Sequence, residues 1–470
     1  MNEKKRKTGW NRRQFLLGTV GALGAGLSQA CSRGVMVVQP EVLGGPDHVA
    51  PSEKINYAAI GCGGKGQGDI NGILATGMVN LVGLCDIDWR NAAVHSIVKE
   101  HPNVPRYFDY RVMLDELGDK IDALSISTPD HTHAVATMAA LKRDIHVFCQ
   151  KPLTHNLLEA RKVTEEARKR KIATQMGIQG HASEGIRLVR EWIEQGAIGQ
   201  VREIHIWTNR PIWPQGMERP EGEDPVPADL SWQDWLGPAT FRPYKMGIYH
   251  RFNWRGWYDF GCGAIGDIAC HSLDAAFWAL KLGYPSSVMA ESEDLNPESF
   301  PRWSKITFEF PARGDLAPVK LVWFDGKRIV DGEEVQNMPP RPECLEEGRT
   351  LENNGQIYYG DDGVLKCGMY ADSPRLIPET KMRDFLASDP KKYLDRSPGH
   401  YLEFVKACKG EGEAGAHFGY AGPLTELGHL GNIALRSQNR IEFDPVAIKV
   451  TQGGDANRFL SREYRDGWSL

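Results

Sequence analysis

The residues most able to do chemistry in this 470-residue chain fall in two short stretches. In Gly261-Cys262-Gly263-Ala264-Ile265-Gly266-Asp267-Ile268-Ala269-Cys270-His271, an aspartate and a histidine stand four apart. On a helix that spacing places both side chains on one face, one turn from each other. A carboxylate beside an imidazole can orient it or share its proton, although such a pair taken alone is more often an ordinary local contact. The second stretch, Gly61-Cys62-Gly63-Gly64-Lys65-Gly66, follows the apolar run Ile55–Ile60 and has the form G-x-G-x-x-G. Its first glycine permits a tight turn, its second lets backbone approach a pyrophosphate, and its third lets helix and strand pack closely.

A dinucleotide site needs particular elements around those glycines. The pyrophosphate rests on the free N–H groups of the following helix, which brings Gly61, Gly63, Gly64, Lys65 and Gly66 to the cofactor. Val79–Cys85 is a second buried-strand pattern. It ends at Asp86, about twenty residues past the last fingerprint glycine, where an acid reaches the adenosine ribose hydroxyls. The charge of Asp86 repels a 2′-phosphate, so NAD is expected over NADP, with Arg90 close enough in sequence to blunt the argument. Farther on, a strand over 123–127 runs into Thr128-Pro129-Asp130-His131-Thr132-His133, which opens a helix over 134–141. The strand His146–Cys149 ends at Gln150-Lys151-Pro152. Ligands bind at strand ends in open α/β sheets, so Thr128, Pro129, His131, His133, Gln150 and Lys151 are expected to face the cofactor. His131 and His133 are expected to shape that loop rather than to react.

The second half reads as a helix over 183–195, an alternating strand over 201–207, and a long proline-rich segment over 209–256 containing Trp213, Trp232, Trp235, Tyr249 and Trp254. A loop of that length is functional or disordered, and its aromatics argue for order. Tryptophans lining a cleft suit the apolar C–H faces of a sugar; equally, they can serve only as the core of the insertion. Strands over 303–310 and 319–324, a loop over 331–355, a strand-turn-strand over 356–365 and helices over 399–408 and 424–436 complete the reading.

The succession of the fingerprint, Cys85-Asp86-Ile87-Asp88, Ser127-Thr128-Pro129-Asp130-His131-Thr132-His133 and Lys151-Pro152 resembles the Gfo/Idh/MocA family of sugar and cyclitol oxidoreductases, from Ile55 to about Phe443. The resemblance implies an α/β protein: an N-terminal Rossmann domain followed by a C-terminal α/β domain with an open, mostly antiparallel sheet that often makes the subunit contact. It implies catalysis by Lys151, Asp267 and His271 on a tightly bound NAD, with a carbohydrate or cyclitol as substrate. His271 would be the general base, Asp267 its orienter or the partner of a neighbouring sugar hydroxyl, and Lys151 the group that polarises the reacting oxygen. His181, Tyr249, Trp254 and Arg255 are candidates for the substrate side. The family's usual tripeptide is Glu-Lys-Pro; Gln150 replaces the glutamate and leaves the orientation of Lys151 open. Two rival readings are a redox-neutral NAD-dependent glycosidase and a non-catalytic sugar-binding Rossmann protein. His181, Asp267 and His271 are residue types that suit zinc, but their spacing does not demand a metal and none is expected.

Domain limits follow: a leader over 1–31, a linker over 32–52, a nucleotide domain over 53–178, a second domain over 179–445 and a polar tail over 446–470. The leader places Lys4-Lys5-Arg6-Lys7 before Arg12-Arg13-Gln14-Phe15-Leu16-Leu17 and a short apolar core, the order of a twin-arginine export signal. Its end offers either cleavage after a small residue or a loose lipobox that would lipidate Cys31, making the protein periplasmic or envelope-anchored. Export in folded form suits a cofactor acquired beforehand and held without exchange. Fifty-six Lys+Arg against 61 Asp+Glu leave a net charge of -5, which gives no footprint for nucleic acid. The nine cysteines show no C-x-x-C pair, so few or no disulfides are expected. Homo-oligomerisation through the second sheet completes the expectations.

Overall fold

The computed structural model describes residues 49–470. The twin-arginine stretch, Cys31 and most of the linker lie outside the described residues. Six strands form a parallel sheet: β1 (Ile55–Ile60), β2 (Val79–Cys85), β3 (Arg106–Tyr107), β4 (Ala123–Ile126), β5 (His146–Cys149) and β6 (Thr174–Met176), in the order β3-β2-β1-β4-β5-β6. Strand order reverses between β1 and β4, so the crevice outside their C-terminal ends is where an open α/β sheet receives a ligand. The helices of this half are α1 (Lys65–Leu74), α2 (Ala92–Glu100), α3 (Tyr110–Leu117), α4 (Asp130–Leu141) and α5 (Leu157–Arg170).

One boundary moves in a way that matters. The helix expected over 134–141 begins at Asp130, immediately after Pro129, whose φ of -61° is set for helix entry. Asp130, His131, Thr132 and His133 are therefore a buried first turn and not a loop.

The second half adds α6 (Glu184–Glu194), α7 (Trp232–Leu236), α8 (Gly263–Ser272), α9 (Asp274–Ala279), α10 (Glu379–Ala387), α11 (His400–Cys408) and α12 (Phe418–Ser437). Its sheet comprises β7 (Val201–Trp207), β8 (Ser287–Glu291), β9 (Trp303–Phe310), β10 (Val319–Val330), β11 (Glu333–Gln336), β12 (Gly355–Gly360), β13 (Gly363–Cys367) and β14 (Arg375–Ile377). The order is β14-β13-β12-β7-β10-β9-β8, with β11 on β10; only the β7/β10 contact is parallel. β10 runs past the expected 324, and β11 forms within the stretch read as loop. The long helix α12 is buried along most of its length and packs on both α5 and α8.

The insertion over 209–256 is ordered around its own aromatic core, where Trp232 and Trp235 stack with centroids 4.5 Å apart and Tyr249 and Trp257 are buried. The polar tail is fastened rather than loose. Arg465 donates to the carbonyls of Gly237 and Gln233 at 3.1 and 2.7 Å, and Arg462 to the carbonyl of His131 at 2.5 Å. The eight cysteines among the described residues are free thiols, and no helix there is long and apolar enough to cross a membrane.

The tightest backbone approach is at the fingerprint. A Cβ on Gly66 would stand 2.0 Å from the carbonyl oxygen of Gly61, which is itself in the left-handed region at φ +82°. Gly66→Ala must push α1 away from the β1 turn, at a cost of about 1–3 kcal/mol for overpacking. Chemical denaturation should show a lower midpoint and nucleotide analysis a reduced content; an unchanged midpoint would contradict this packing.

Candidate active site

The ends of β1, β4 and β5 open into a cleft of about 630 Å3 that also meets α8, the insertion and the tail. Gly61, Gly63, Gly64, Lys65, Asp86, Thr128, Pro129, Gln150, Lys151, Trp254, Arg255, Asp267 and His271 all line it, so most of the residues singled out from the sequence are brought together. Four are not. His131 is buried, with Nε2 2.8 Å from the Trp235 carbonyl and Nδ1 3.2 Å from that of Phe260. His133 spans the carbonyls of Pro152 and Thr128 at 2.7 and 2.9 Å. Burial lowers their pKa values to about 3 and about 4, so both are neutral struts that fix the turn before α4. Tyr249 belongs to the insertion's core against Trp257 and Phe260. His181 is buried with its Nδ1 2.9 Å from Asp274, and Gln179 lines the cleft in its place. No group of three metal-ligating side chains occurs among the described residues.

The cleft fits a dinucleotide at its glycine-rich end. Gly64 heads α1 without a side-chain cap; the Gly66 N–H turns back to the Gly63 carbonyl at 3.0 Å, and the first-turn N–H groups beside it are left for an anion. A Cβ at Gly64 would meet nothing within 4 Å, and the space above the turn is open. Asp86 stands half-buried at the end of β2, where one carboxylate oxygen accepts from Cys62 N–H at 2.7 Å and the other from Asp88 N–H at 2.9 Å. Arg90, the residue that could have favoured a 2′-phosphate, is committed elsewhere: its Nε and NH2 grip Asp88 at 2.7 and 2.9 Å.

Two buried aspartates hold the walls. Asp69, on α1 and fully buried, accepts from Lys65 Nζ at 2.6 Å, Ser127 Oγ at 2.7 Å, Gln150 Nε2 at 2.9 Å and Tyr401 OH at 2.9 Å. This explains the glutamine at 150. An amide can donate to Asp69, whereas a glutamate would set two carboxylates against each other. Asp88 accepts from Arg90, from His250 Nε2 at 2.8 Å and from Arg251 Nε at 3.1 Å. Burial opposes its ionisation, but the bonds from His250 and Arg90 outweigh that and hold it well below the usual carboxylate range. The insertion is thereby pinned to the end of β2, and Trp468 of the tail joins the rim with Arg111 stacked on it at 4.3 Å.

The reactive constellation is carried by β5 and α8. Lys151 Nζ donates to Asp267 Oδ1 at 2.8 Å and to the Asp267 carbonyl at 2.6 Å. Arg255 Nε reaches the same Oδ1 at 3.2 Å while its guanidinium stacks on Trp254 at 4.2 Å. Burial alone would raise the pKa of Asp267; Lys151 and Arg255 bring it down to about 2. The carboxylate orients Lys151, and it forms no hydrogen bond to His271, which corrects the expectation that Asp267 orients the imidazole. His271 is 5% exposed, packs edge-on against Tyr370 at 4.8 Å, and has Nδ1 buried with no hydrogen-bond partner. Burial, reinforced by the Lys151 charge, keeps its pKa well below the ordinary value, so the ring is neutral.

Asp130 and Tyr370 also line this end; Asp130 lies inside the Thr128–His133 stretch without standing out from it, and no motif or spacing marks Tyr370. Asp130 accepts from Cys262 N–H at 3.1 Å. Burial raises its pKa to about 7, with Arg255 acting against the shift and Asp267 adding to it.

A carboxyl whose folded pKa is raised stabilises the fold while protonated in both states and loses that contribution as pH rises. For Asp130 the window runs from about 4, the unfolded value, to about 7. Unfolding free energies across that window should fall more steeply for wild type than for Asp130→Asn. Parallel curves would contradict the assignment.

Comparison with known proteins agrees with this geometry. Residues 55–178 match the model of an oxidoreductase family with an NAD-binding Rossmann fold, and residues 198–317 match that family's C-terminal alpha/beta domain. Levoglucosan dehydrogenase of Pseudarthrobacter phenanthrenivorans is 26% identical over 168 residues, 36% of this chain and 35% of that one. D-glucoside 3-dehydrogenase of Escherichia coli is 26% identical over 214 residues, 46% of this chain and 50% of that one. The matches thus span half or less of these relatives. The WlbA dehydrogenase of Bordetella pertussis, solved with NADH and UDP-GlcNAcA, shares the fold at a TM-score of 0.56 and 18% identity, over 83% of this chain and 99% of that one. With both domain models matched in succession on a cleft that fits the dinucleotide, the chain belongs to the Gfo/Idh/MocA family of NAD-binding oxidoreductases.

Proposed function

We propose that the chain transfers a hydride between a tightly held NAD and a hydroxyl-bearing carbon of a sugar, glycoside or cyclitol. The observation that carries this reading is the convergence of Lys151, Asp267 and a neutral His271 in the cleft that the glycine fingerprint opens. The levoglucosan and D-glucoside dehydrogenases among the relatives support the substrate class.

When bound, the nicotinamide supplies the hydride acceptor, and the chain must supply a base and a polarising cation. His271 suits the base because burial keeps it unprotonated and its Nδ1 has no competing partner. Nε2, the ring nitrogen not sealed in the interior, would take the hydroxyl proton. Lys151, aimed by both oxygens of Asp267 that it contacts, would donate to the reacting oxygen and steady its negative charge. Trp254, Trp213 and Arg255 form the wall against which a sugar ring would lie.

Enclosure of the cleft by the pinned insertion and by Trp468 supports retention of the cofactor between turnovers. The same enclosure favours a second reading, a redox-neutral glycosidase in which the nucleotide returns unchanged; release of aglycone from a nitrophenyl glycoside would distinguish it. The twin-arginine leader, a periplasmic or envelope location and lipidation of Cys31 belong to this proposal on the order of charges and apolar residues before Cys31. Homo-oligomerisation is supported by exposed Ile329, Val330 and Val335 on the β10/β11 hairpin.

Purified protein should release NAD on denaturation, and incubation with a panel of glycosides and cyclitols should convert it to NADH with at least one of them. Lys151→Ala and His271→Ala should keep the nucleotide and lose about 10²–10⁴ in turnover, the usual worth of positioned acid-base groups. Near-wild-type turnover in either variant, or no nucleotide in the purified protein, would contradict the reading.

A further inference from the structure

A second cavity, of about 330 Å3, shares no lining residue with the catalytic cleft. Its wall includes Cys262, which heads α8, Asn156, which caps α5, and Asn432 and Arg436 of α12, and the tail closes over it. Neither the fold nor the hydride-transfer reading gives it a role.

Unpartnered polar atoms concentrate there. Asn156 is 7% exposed; its Oδ1 accepts from Glu159 N–H at 3.0 Å, but its Nδ2 is buried with no partner. Both ring nitrogens of His155 are buried and unpartnered. Asn432 donates Nδ2 to the Cys262 carbonyl at 2.9 Å and leaves Oδ1 without a bond. Buried polar atoms are overwhelmingly hydrogen-bonded in folded proteins, and of these four the Asn156 amide and one nitrogen of the His155 ring are donors left without an acceptor.

The charge says what kind. Arg436 is sandwiched between Tyr258 and Phe459, with ring centroids 4.4 and 4.3 Å from its guanidinium, and it makes no ion pair or hydrogen bond among the described residues. Its neighbours are already neutralised: Arg458 pairs with Asp455 at 3.1 Å and Arg462 with Glu159 at 3.2 Å. Of the wall's carboxylates, Asp259 is held by Arg242 at 2.7 Å and Glu463 is exposed to solvent. One guanidinium with all five donors free therefore faces the cavity, and burial penalises its charge in a way that an anion would offset.

We infer that this cavity binds a small oxyanion, a phosphate or a carboxylate, through the Arg436 guanidinium and the Asn156 amide. A planar fork held flat between two rings is suited to bidentate capture of such a group. The site also touches the reactive helix, because Asn432 holds the carbonyl of Cys262 while the N–H of Cys262 is bonded to Asp130.

Calorimetric titration of the full chain, with its nucleotide in place, tests this with inorganic phosphate and, separately, malonate, at constant ionic strength set by chloride. Saturable binding of phosphate, of malonate or of both is expected, and the pattern identifies the anion class. Arg436→Gln and Asn156→Asp should each weaken it about tenfold or more, as loss of a charge-assisted bond does. Asn156→Asp keeps a good helix cap and so a folded variant. Binding no stronger than that of chloride, or wild-type affinity in Asn156→Asp and in folded Arg436→Gln, would overturn the inference. Because neither variant touches the dinucleotide cleft, hydride transfer can fail or succeed independently.

Discussion

The ion pair between Lys151 and Asp267 is the constraint on which the cleft depends. Lys151 follows the fifth strand of the parallel sheet and Asp267 sits in α8 of the second half, so the pair ties two regions that share no strand. With side-chain exposures of only 16% and 13%, neither ion is well solvated, and removing one partner of such a pair costs about 3–5 kcal/mol. Arg255 on the same oxygen adds a cation from the insertion, which explains how a buried carboxylate stays ionised. The consequence reaches one helical turn on. A neighbouring lysine and a dry environment together keep His271 neutral, which is the state a general base requires.

Asp69 and Asp88 repeat the same physics at the other walls. Each is buried, and each gathers donors from segments far apart in sequence: Asp69 from Ser127, Gln150 and Tyr401, Asp88 from Arg90, His250 and Arg251. A carboxylate accepting several charge-assisted bonds repays its desolvation only if all its donors arrive together. The glycine-rich turn, the strand ends and the aromatic insertion are consequently positioned as a set, and the cleft is preorganised before any ligand enters.

Much of this was legible in the sequence because it rests on local rules. The glycine spacing, the run of buried strands and the i,i+4 placement of Asp267 and His271 report backbone geometry and helix faces, which a linear pattern can encode. What escaped depends on tertiary proximity. Nothing near Asp69 marks it as a buried charge, the motif around Asp130 does not set its carboxyl apart from its neighbours, and Tyr370 meets His271 across about one hundred residues of chain. The histidines at 131 and 133 shape the turn as their position suggests but do not face the cleft, because Pro129 starts the helix at once and turns an expected loop into a packed first turn. For Tyr249 the sequence leaves cleft wall and insertion core equally open, and the structure takes the second because a Trp-rich insertion must bury a core of its own.

Passage of hydride within this cleft is tested most directly by isotopic labelling. A substrate carrying deuterium on the reacting carbon would be incubated with the purified protein and the extracted nicotinamide analysed by mass spectrometry. Direct transfer predicts deuterium in the nucleotide from wild type and none from His271→Ala. A nucleotide that stays unlabelled while wild type converts the substrate would contradict the account.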